Sequence, residues 1–102
     1  MKFLAIEKDN ASSTGQADRD LLELEAREVY ALYQQGIIRE MYFNQNHEAV
    51  LLLECKDMKA AEESLSRLPL VSNGLISFEI SELRPYTGFE RLFKASRNFH
   101  CC

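Results

Sequence analysis

Three features of this sequence predict an α+β fold. Four short segments have the apolar patterns of β-strands, two longer ones repeat apolar residues at helical spacing, and the order is β-α-β-β-α-β. The 102 residues, 46% of them hydrophobic, suffice for one domain with a small core. We therefore expect a single domain over residues 1–94 and a flexible tail over residues 95–102.

Residues 2–8 predict the first strand. The apolar run from Phe3 to Ile6 does not alternate with polar residues, which indicates a strand covered on both faces. The polar segment that follows, "DNASSTGQAD", predicts a loop. Its length suits either a mobile flap over a site or a solvated loop without a role.

Residues 18–35 predict the first helix. Its apolar stripe has spacings of four, three and four residues: Leu22, Ala26, Val29 and Tyr33. Asp18 is a suitable N-cap, and Gly36 ends the helix because glycine adopts the left-handed conformation at little cost. The Glu, Arg and Gln residues between these positions predict a solvated face.

Residues 37–43 and 47–55 predict a hairpin around the turn "NQN". The second of these strands carries "AVLLL", which is apolar on both faces. Asp57 predicts the cap of a second helix, which reaches to about residue 68 and cannot continue through Pro69. Its buried stripe is expected at four positions: Met58, Ala61, Leu65 and Leu68.

The segment "LISFEISEL" predicts the last strand, with regular alternation. Ile76, Phe78 and Ile80 form one face, and Ser77, Glu79 and Ser81 form the other. The chain leaves this strand at Pro85 and is expected to form a short helical turn, whose apolar side is Phe89, Leu92 and Phe93.

The element order is that of the ferredoxin-like, or split βαβ, fold, a four-stranded antiparallel sheet with both helices on one face. In this fold the first and third strands are central. The two unbroken apolar runs, "FLAI" and "AVLLL", fall on these two strands. The uncovered face of the third strand would leave an apolar patch that monomers rarely tolerate.

A second copy of the same sheet is the simplest cover for this patch. Its burial is worth on the order of 10 kcal/mol before association costs. We therefore expect a homodimer in which two sheets close face to face around a barrel, with the segment 85–93 reaching to the partner and a ligand cavity between the sheets. A higher oligomer is compatible with the same pattern.

Composition and charge exclude several functions. The net charge of −4 disfavours nucleic acid as a partner. No apolar stretch is long enough to span a membrane, and the N-terminus lacks a signal-peptide core, so a cytoplasmic protein is expected. No phosphate-binding glycine loop or metal-ligand cluster indicates a cofactor or a metal. Cys55 is expected to pack as a small hydrophobe, whereas His100, Cys101 and Cys102 form an exposed end, a soft-metal site or a lipidation signal.

Several short motifs give the chain a resemblance to the dimeric α+β barrel superfamily, and within it to the muconolactone isomerase-like proteins. They are Gly36 with Arg39, His47 with Ala49, "LPL" at 68–70, Glu79, and Leu83 with Pro85. The similarity spans most of residues 2–86. The segment "VSNGLIS" requires a small insertion relative to the family, which alters one wall of the expected pocket.

The resemblance implies isomerisation of a lactone or small organic acid by proton transfer. His47 would be the base, because histidine titrates near neutral pH, and Glu79 would be an acid or a base. Arg39 would bind a substrate carboxylate, and Tyr42 would donate to an oxygen. Strand alternation adds Glu7 to the same cavity and puts Arg39 and Tyr42 on opposite faces.

Three alternatives remain open beside an acid–base enzyme: a non-catalytic ligand-binding or regulatory barrel, a dimerisation module with a filled interior, and an RNA-binding sheet. The RNA-binding alternative lacks exposed stacking aromatics on the middle strands. An enzyme requires at least two of Arg39, His47 and Glu79 to converge on one cavity, a binding protein requires only the cavity, and a dimerisation module has none.

Overall fold

The computed structural model describes residues 1–10 and 18–93. Its elements follow the chain as β1 (Lys2–Asp9), α1 (Arg19–Gln34), β2 (Ile38–Phe43), β3 (Ala49–Glu54), α2 (Met58–Ser66), α3 (Pro69–Ser72), β4 (Ile76–Leu83) and a 3₁₀ helix (Gly88–Leu92). The strands form one antiparallel sheet in the order β2-β3-β1-β4. The predicted ferredoxin-like fold, with its two apolar strands in the centre, is therefore confirmed.

The two longer helices begin at the predicted N-caps. Asp18 Oδ1 accepts a hydrogen bond from Leu21 N, and Asp57 Oδ1 accepts one from Ala60 N, each at 2.8 Å. Each bond satisfies a backbone N–H that has no partner within its helix. Gly36 has a φ of 80°, which is the left-handed conformation predicted to end α1.

The two faces of the sheet differ in their cover. We call the side packed against α1 and α2 the helix face; its buried side chains on the central strands are Phe3, Ala5, Leu51 and Leu53. Leu32, Ala61 and Leu65 of the helices complete this core. We call the other side the open face; there the central strands carry four half-buried side chains, Leu4, Ile6, Val50 and Leu52.

The structure corrects the expected burial of α1. The predicted stripe was to pack on the sheet, but Leu22 and Tyr33 are about half exposed, and Leu32 is the buried residue of this helix. Leu22, Ala26 and Val29 instead line a pocket between α1 and the sheet. A stripe that faces a pocket has the same spacing as one that faces a core, so periodicity alone does not separate them.

Two local features were not predicted. The second helix ends at Ser66, and a short helix, α3, begins with Pro69 in its first turn, where the missing N–H of proline costs nothing. In β2 the pairing register shifts between Ile38 and Glu40, which leaves Arg39 as an extra residue. Because of this extra residue, the regular alternation of side chains between the two faces is interrupted at Arg39. The face of Arg39 therefore cannot be derived from the faces of Met41 and Phe43.

Cys55 is buried, as predicted, and burial raises the pKa of its thiol. After β4 the apolar side of the predicted helical turn is exposed, with Phe89 and Leu92 more than half accessible. Of the predicted loop or flap at 9–18, residues 11–17 lie outside the described residues. The predicted tail, with His100, Cys101 and Cys102, lies outside them as well.

Candidate functional site

A pocket of about 590 Å³ lies between α1 and the helix face of the sheet. Its walls are mainly apolar and come from all four strands and from α1 and α3, with Leu22, Val29, Met41, Leu70 and Phe78 among the lining side chains. Pockets of this size and character bind small organic molecules. The cavity expected between two sheets requires two copies of the chain, so it stays a prediction, and the pocket found within one chain lies on the other side of the sheet.

Glu7 enters the pocket from β1. It lies on the same face as Phe3 and Ala5, as strand alternation predicted, and it is half-buried. Its Oε1 accepts a hydrogen bond of 3.0 Å from Ala49 N at the beginning of β3. This bond orients the carboxylate and ties β1 to β3 at the end of their pairing.

Glu25 enters the same pocket from α1. Its Oε1 accepts a hydrogen bond of 2.9 Å from Leu70 N in α3. Burial raises the pKa of this carboxyl above the ordinary value of 4.5; the bond from Leu70 opposes the shift, and the negative charges of Glu7 and Glu28 add to it. Raised carboxyl pKa values are typical of groups that exchange protons near neutral pH.

His47 lines the pocket from the turn between β2 and β3. It is a non-glycine residue with a positive φ, of 60°, and its ring stacks on that of Phe43 with centroids 4.3 Å apart. Asn44 holds this turn, because its Oδ1 accepts from Asn46 N and Glu48 N. Non-glycine residues with a left-handed backbone conformation are often found at functional sites.

Tyr42 also contributes to the lining, but its hydroxyl is already used. It donates a hydrogen bond of 2.7 Å to Glu40 Oε1, and this bond is the main reason that the pKa of Tyr42 is raised. In the sheet Tyr42 pairs with Val50, a residue of the open face. The hydroxyl therefore does not serve the pocket in this conformation.

Arg39 and Glu79 do not line the pocket. Arg39 Nε donates to the carbonyl oxygen of Gly36 at 2.7 Å, so its charge sits at the end of α1, where it offsets the helix dipole. Glu79 lies on the open face, as predicted, with Lys8 Nζ at 3.7 Å from its Oε2. Of the three residues expected to converge, only His47 reaches the pocket within one chain.

Sequence reasoning missed Glu25. The glutamates of α1 were assigned to a solvated face, yet Glu25 is half-buried. The signal was present, because Glu25 follows Leu22 by three residues and precedes Val29 by four, which puts it on the apolar stripe. Charged residues are rarely buried, so a glutamate inside an apolar stripe is a candidate site residue in the same way as the acids of the strands.

The lining of this apolar pocket includes two carboxylates and an imidazole. Such a set can remove a proton from a bound molecule and return it elsewhere. Within residues 1–10 and 18–93, no group of three or more His, Cys, Asp or Glu residues could hold a metal ion. In the same ranges, no helix has the length and apolar character needed to cross a membrane.

Comparison with known proteins supports the fold. No family model and no curated protein matches the sequence. Among solved structures, muconolactone isomerase is similar with a TM-score of 0.69 and 17% identity, over 85% of this chain and 92% of that one. The 5-chloro-2-hydroxyhydroquinone dehydrochlorinase of Burkholderia phenoliruptrix AC1100, solved with 2,5-dihydroxybenzoquinone, has a TM-score of 0.61 and 14% identity, over 86% and 98%. The resemblance to muconolactone isomerase-like proteins is therefore confirmed as a shared fold.

Proposed function

We propose that this chain is a small-molecule acid–base enzyme of isomerase type, whose site is the pocket under α1. The observation that carries the proposal is Glu25, a carboxyl whose pKa is raised by burial in an apolar pocket that also contains Glu7 and His47. The fold is shared with an isomerase and a dehydrochlorinase, which agrees with chemistry of this class.

The proposed reaction moves one proton along a conjugated lactone or related carbonyl compound. The carboxylate of Glu25 takes the proton from a carbon next to the carbonyl, and the C–H electron pair becomes the enolate. His47 donates a hydrogen bond to the enolate oxygen, which lowers its energy. The carboxyl then returns the proton to the far carbon of the conjugated system, so the double bond moves and no oxidant is needed.

A non-catalytic ligand-binding protein is the second candidate. It is favoured by the hydrogen bonds from Ala49 N to Glu7 and from Leu70 N to Glu25, which give both carboxylates a structural role. In that case the pocket binds the same kind of molecule without proton transfer.

Exchange of carbon-bound protons separates the two candidates. A panel of unsaturated lactones and cyclic ketones is incubated with the protein in D₂O, and loss of the proton next to the carbonyl is followed by NMR. We expect the native chain to accelerate exchange of at least one compound, and Glu25→Gln to lower that rate by about 10²–10⁴-fold.

Glu23→Gln is the matched control, since Glu23 lies on the same helix and pairs with Arg27 at 3.9 Å outside the pocket. It should exchange at the native rate. A Glu25→Gln variant as active as the native chain contradicts the proposed base, whereas binding without any exchange favours the second candidate.

Self-association belongs to the same proposal. The open face carries half-buried aliphatic side chains on both central strands, and the segment after β4 exposes Tyr86, Phe89 and Leu92. A second copy packed on this face would bury both surfaces, in line with the homodimer expected from the sequence.

A further inference from the structure

Two carboxylates line the pocket, and they are not matched by a strong base. They belong to Glu7 and Glu25, and no lysine or arginine lines the described pocket. None of the ion pairs between described residues involves Glu7 or Glu25. The carboxylates of the pocket therefore lack a lysine or arginine that would offset their charge.

The two carboxylates also present acceptors in fixed positions. Each uses Oε1 to accept from a backbone N–H, of Ala49 for Glu7 and of Leu70 for Glu25. Between described residues, no hydrogen bond engages Oε2 of either side chain. Neither Oε2 is a buried atom without a partner, so both are accessible, and a bound molecule that supplies N–H or O–H groups can donate to them.

We infer that the pocket selects ring compounds that carry an amino or hydroxyl group and rejects ring compounds that carry a carboxylate. A third carboxylate in this space would face two like charges and would find no lysine or arginine in the described lining. An ammonium group, by contrast, pairs with both glutamates, and a neutral hydroxyl donates to one of them.

The aromatic part of the lining suits such a ligand. Tyr30, Phe43 and Phe78 contribute ring surface to a pocket of about 590 Å³, which is large enough for a bicyclic ring with a short side chain. Ring faces stack on a flat ligand and also attract a nearby cation. Glu7 and Glu25 line the same pocket, and the charge of Glu7 contributes to raising the pKa of Glu25.

Three probes with the same ring test this inference, which rests on the proposed pocket. Tryptamine, indole-3-ethanol and indole-3-propionate differ in the charge at the end of the side chain: positive, neutral and negative at pH 7.5. Calorimetric titration of the full chain should rank their affinities in that order. We expect tryptamine to bind about tenfold or more tightly than indole-3-propionate.

The double variant Glu7→Gln/Glu25→Gln should bring the affinities of the three probes within about twofold of one another, mainly because indole-3-propionate binds better. Glu23→Gln, which changes the net charge by one unit outside the pocket, should keep the native ranking and corrects for any long-range effect of charge. A retained near-ultraviolet circular dichroism spectrum shows that each variant is folded.

The inference is overturned if indole-3-propionate binds the native chain as tightly as tryptamine, if the double variant keeps the native ranking, or if none of the probes binds at millimolar concentration. Equal affinities leave the proposed proton transfer by Glu25 standing, since exchange is measured with uncharged lactones and ketones. If the probes rank as predicted but no compound shows proton exchange, the inferred selectivity stands and the catalytic role is refuted.

Discussion

Glu25 and Glu79 lie on opposite sides of one sheet and have different surroundings. The side chain of Glu79 is 72% exposed and pairs with Lys8, which also pairs with Glu48 at 3.6 Å. Glu25 is half-buried in an apolar pocket, has another carboxylate nearby, and has a raised pKa. Residue type is the same in both places, so the cover of the sheet decides which carboxyl is partly withdrawn from water.

The largest effect should separate two neighbouring leucines of β3. Leu53 is fully buried on the helix face, whereas Leu52 is half-buried on the open face. We expect Leu53→Ala to lower the free energy of unfolding by about 2–5 kcal/mol, because it leaves a cavity in the core. At protein concentrations low enough to keep the chain monomeric, Leu52→Ala should cost clearly less in urea denaturation, and equal losses would show that the two faces are equally covered.

A charge on the open face should break the proposed dimer. Leu52→Glu puts a carboxylate where two sheets are expected to meet, and burying it unpaired is unfavourable. Light scattering after gel filtration should show a dimer for the native chain and a monomer for the variant, with unchanged secondary structure by circular dichroism. Ser66→Glu, an exposed position of α2, is the control that keeps the dimer. A native chain that is monomeric at micromolar concentration refutes the dimer.

Glu25 should contribute to the pH dependence of the free energy of unfolding. Its pKa in the folded state is raised above 4.5, so the folded chain holds the proton more tightly than the unfolded chain. The resulting stability is present below pH 4.5 and is lost as the pH rises through the raised pKa. Glu25→Gln should remove this loss in urea titrations between pH 4.5 and 7, and Glu23→Gln should not.

Glu54, on the open face, should change the stability with pH in the opposite direction to Glu25. Hydrogen bonds from the N-terminal ammonium group and from Lys2 lower the pKa of this carboxyl. Its contribution to stability is present above pH 4.5 and is lost as the pH falls through the lowered pKa. Glu54→Gln should flatten the acid side of the stability profile, and an unchanged acid limb would contradict these two ion pairs.

The smallest effect on stability is expected at His47. His47→Gly relieves the left-handed backbone conformation but removes the stack on Phe43, so the unfolding free energy should change by less than about 1 kcal/mol. Proton exchange should nevertheless slow, because the donor to the enolate oxygen is gone. A variant that keeps the native exchange rate would reduce His47 to a turn residue.

Much of the fold was predictable from local patterns. Asp18, Asp57 and Gly36 mark helix ends because caps depend on a few neighbouring atoms. Alternation correctly put Glu7 on the face of Phe3 and Ala5, but Glu7 was expected in one cavity with Glu79, whereas the two lie on opposite faces of the sheet. The short helix at Pro69 and the extra residue Arg39 were missed. Both depend on the packing or pairing of one segment with others in the fold. The hydrophobic pattern of a single segment carries no information on such contacts.

The candidate site was less predictable than the fold. His47 and Glu7 were named as candidates and line the pocket, whereas Arg39 and Glu79 lie outside it. The expected ligand space was between two sheets, because the open apolar face was visible in the sequence. The pocket between α1 and the sheet could not be predicted, since an apolar helix stripe that lines a pocket has the same periodicity as one that packs in a core.

By itself the sequence determined the order of the elements and the central strands, because these follow from spacing along the chain. Only the tertiary structure decided that a pocket opens between α1 and the sheet, where Glu7 and Glu25 both line it. The reason is that a pKa and a pocket depend on distances between residues far apart in the chain, and hydrophobic periodicity does not encode those distances.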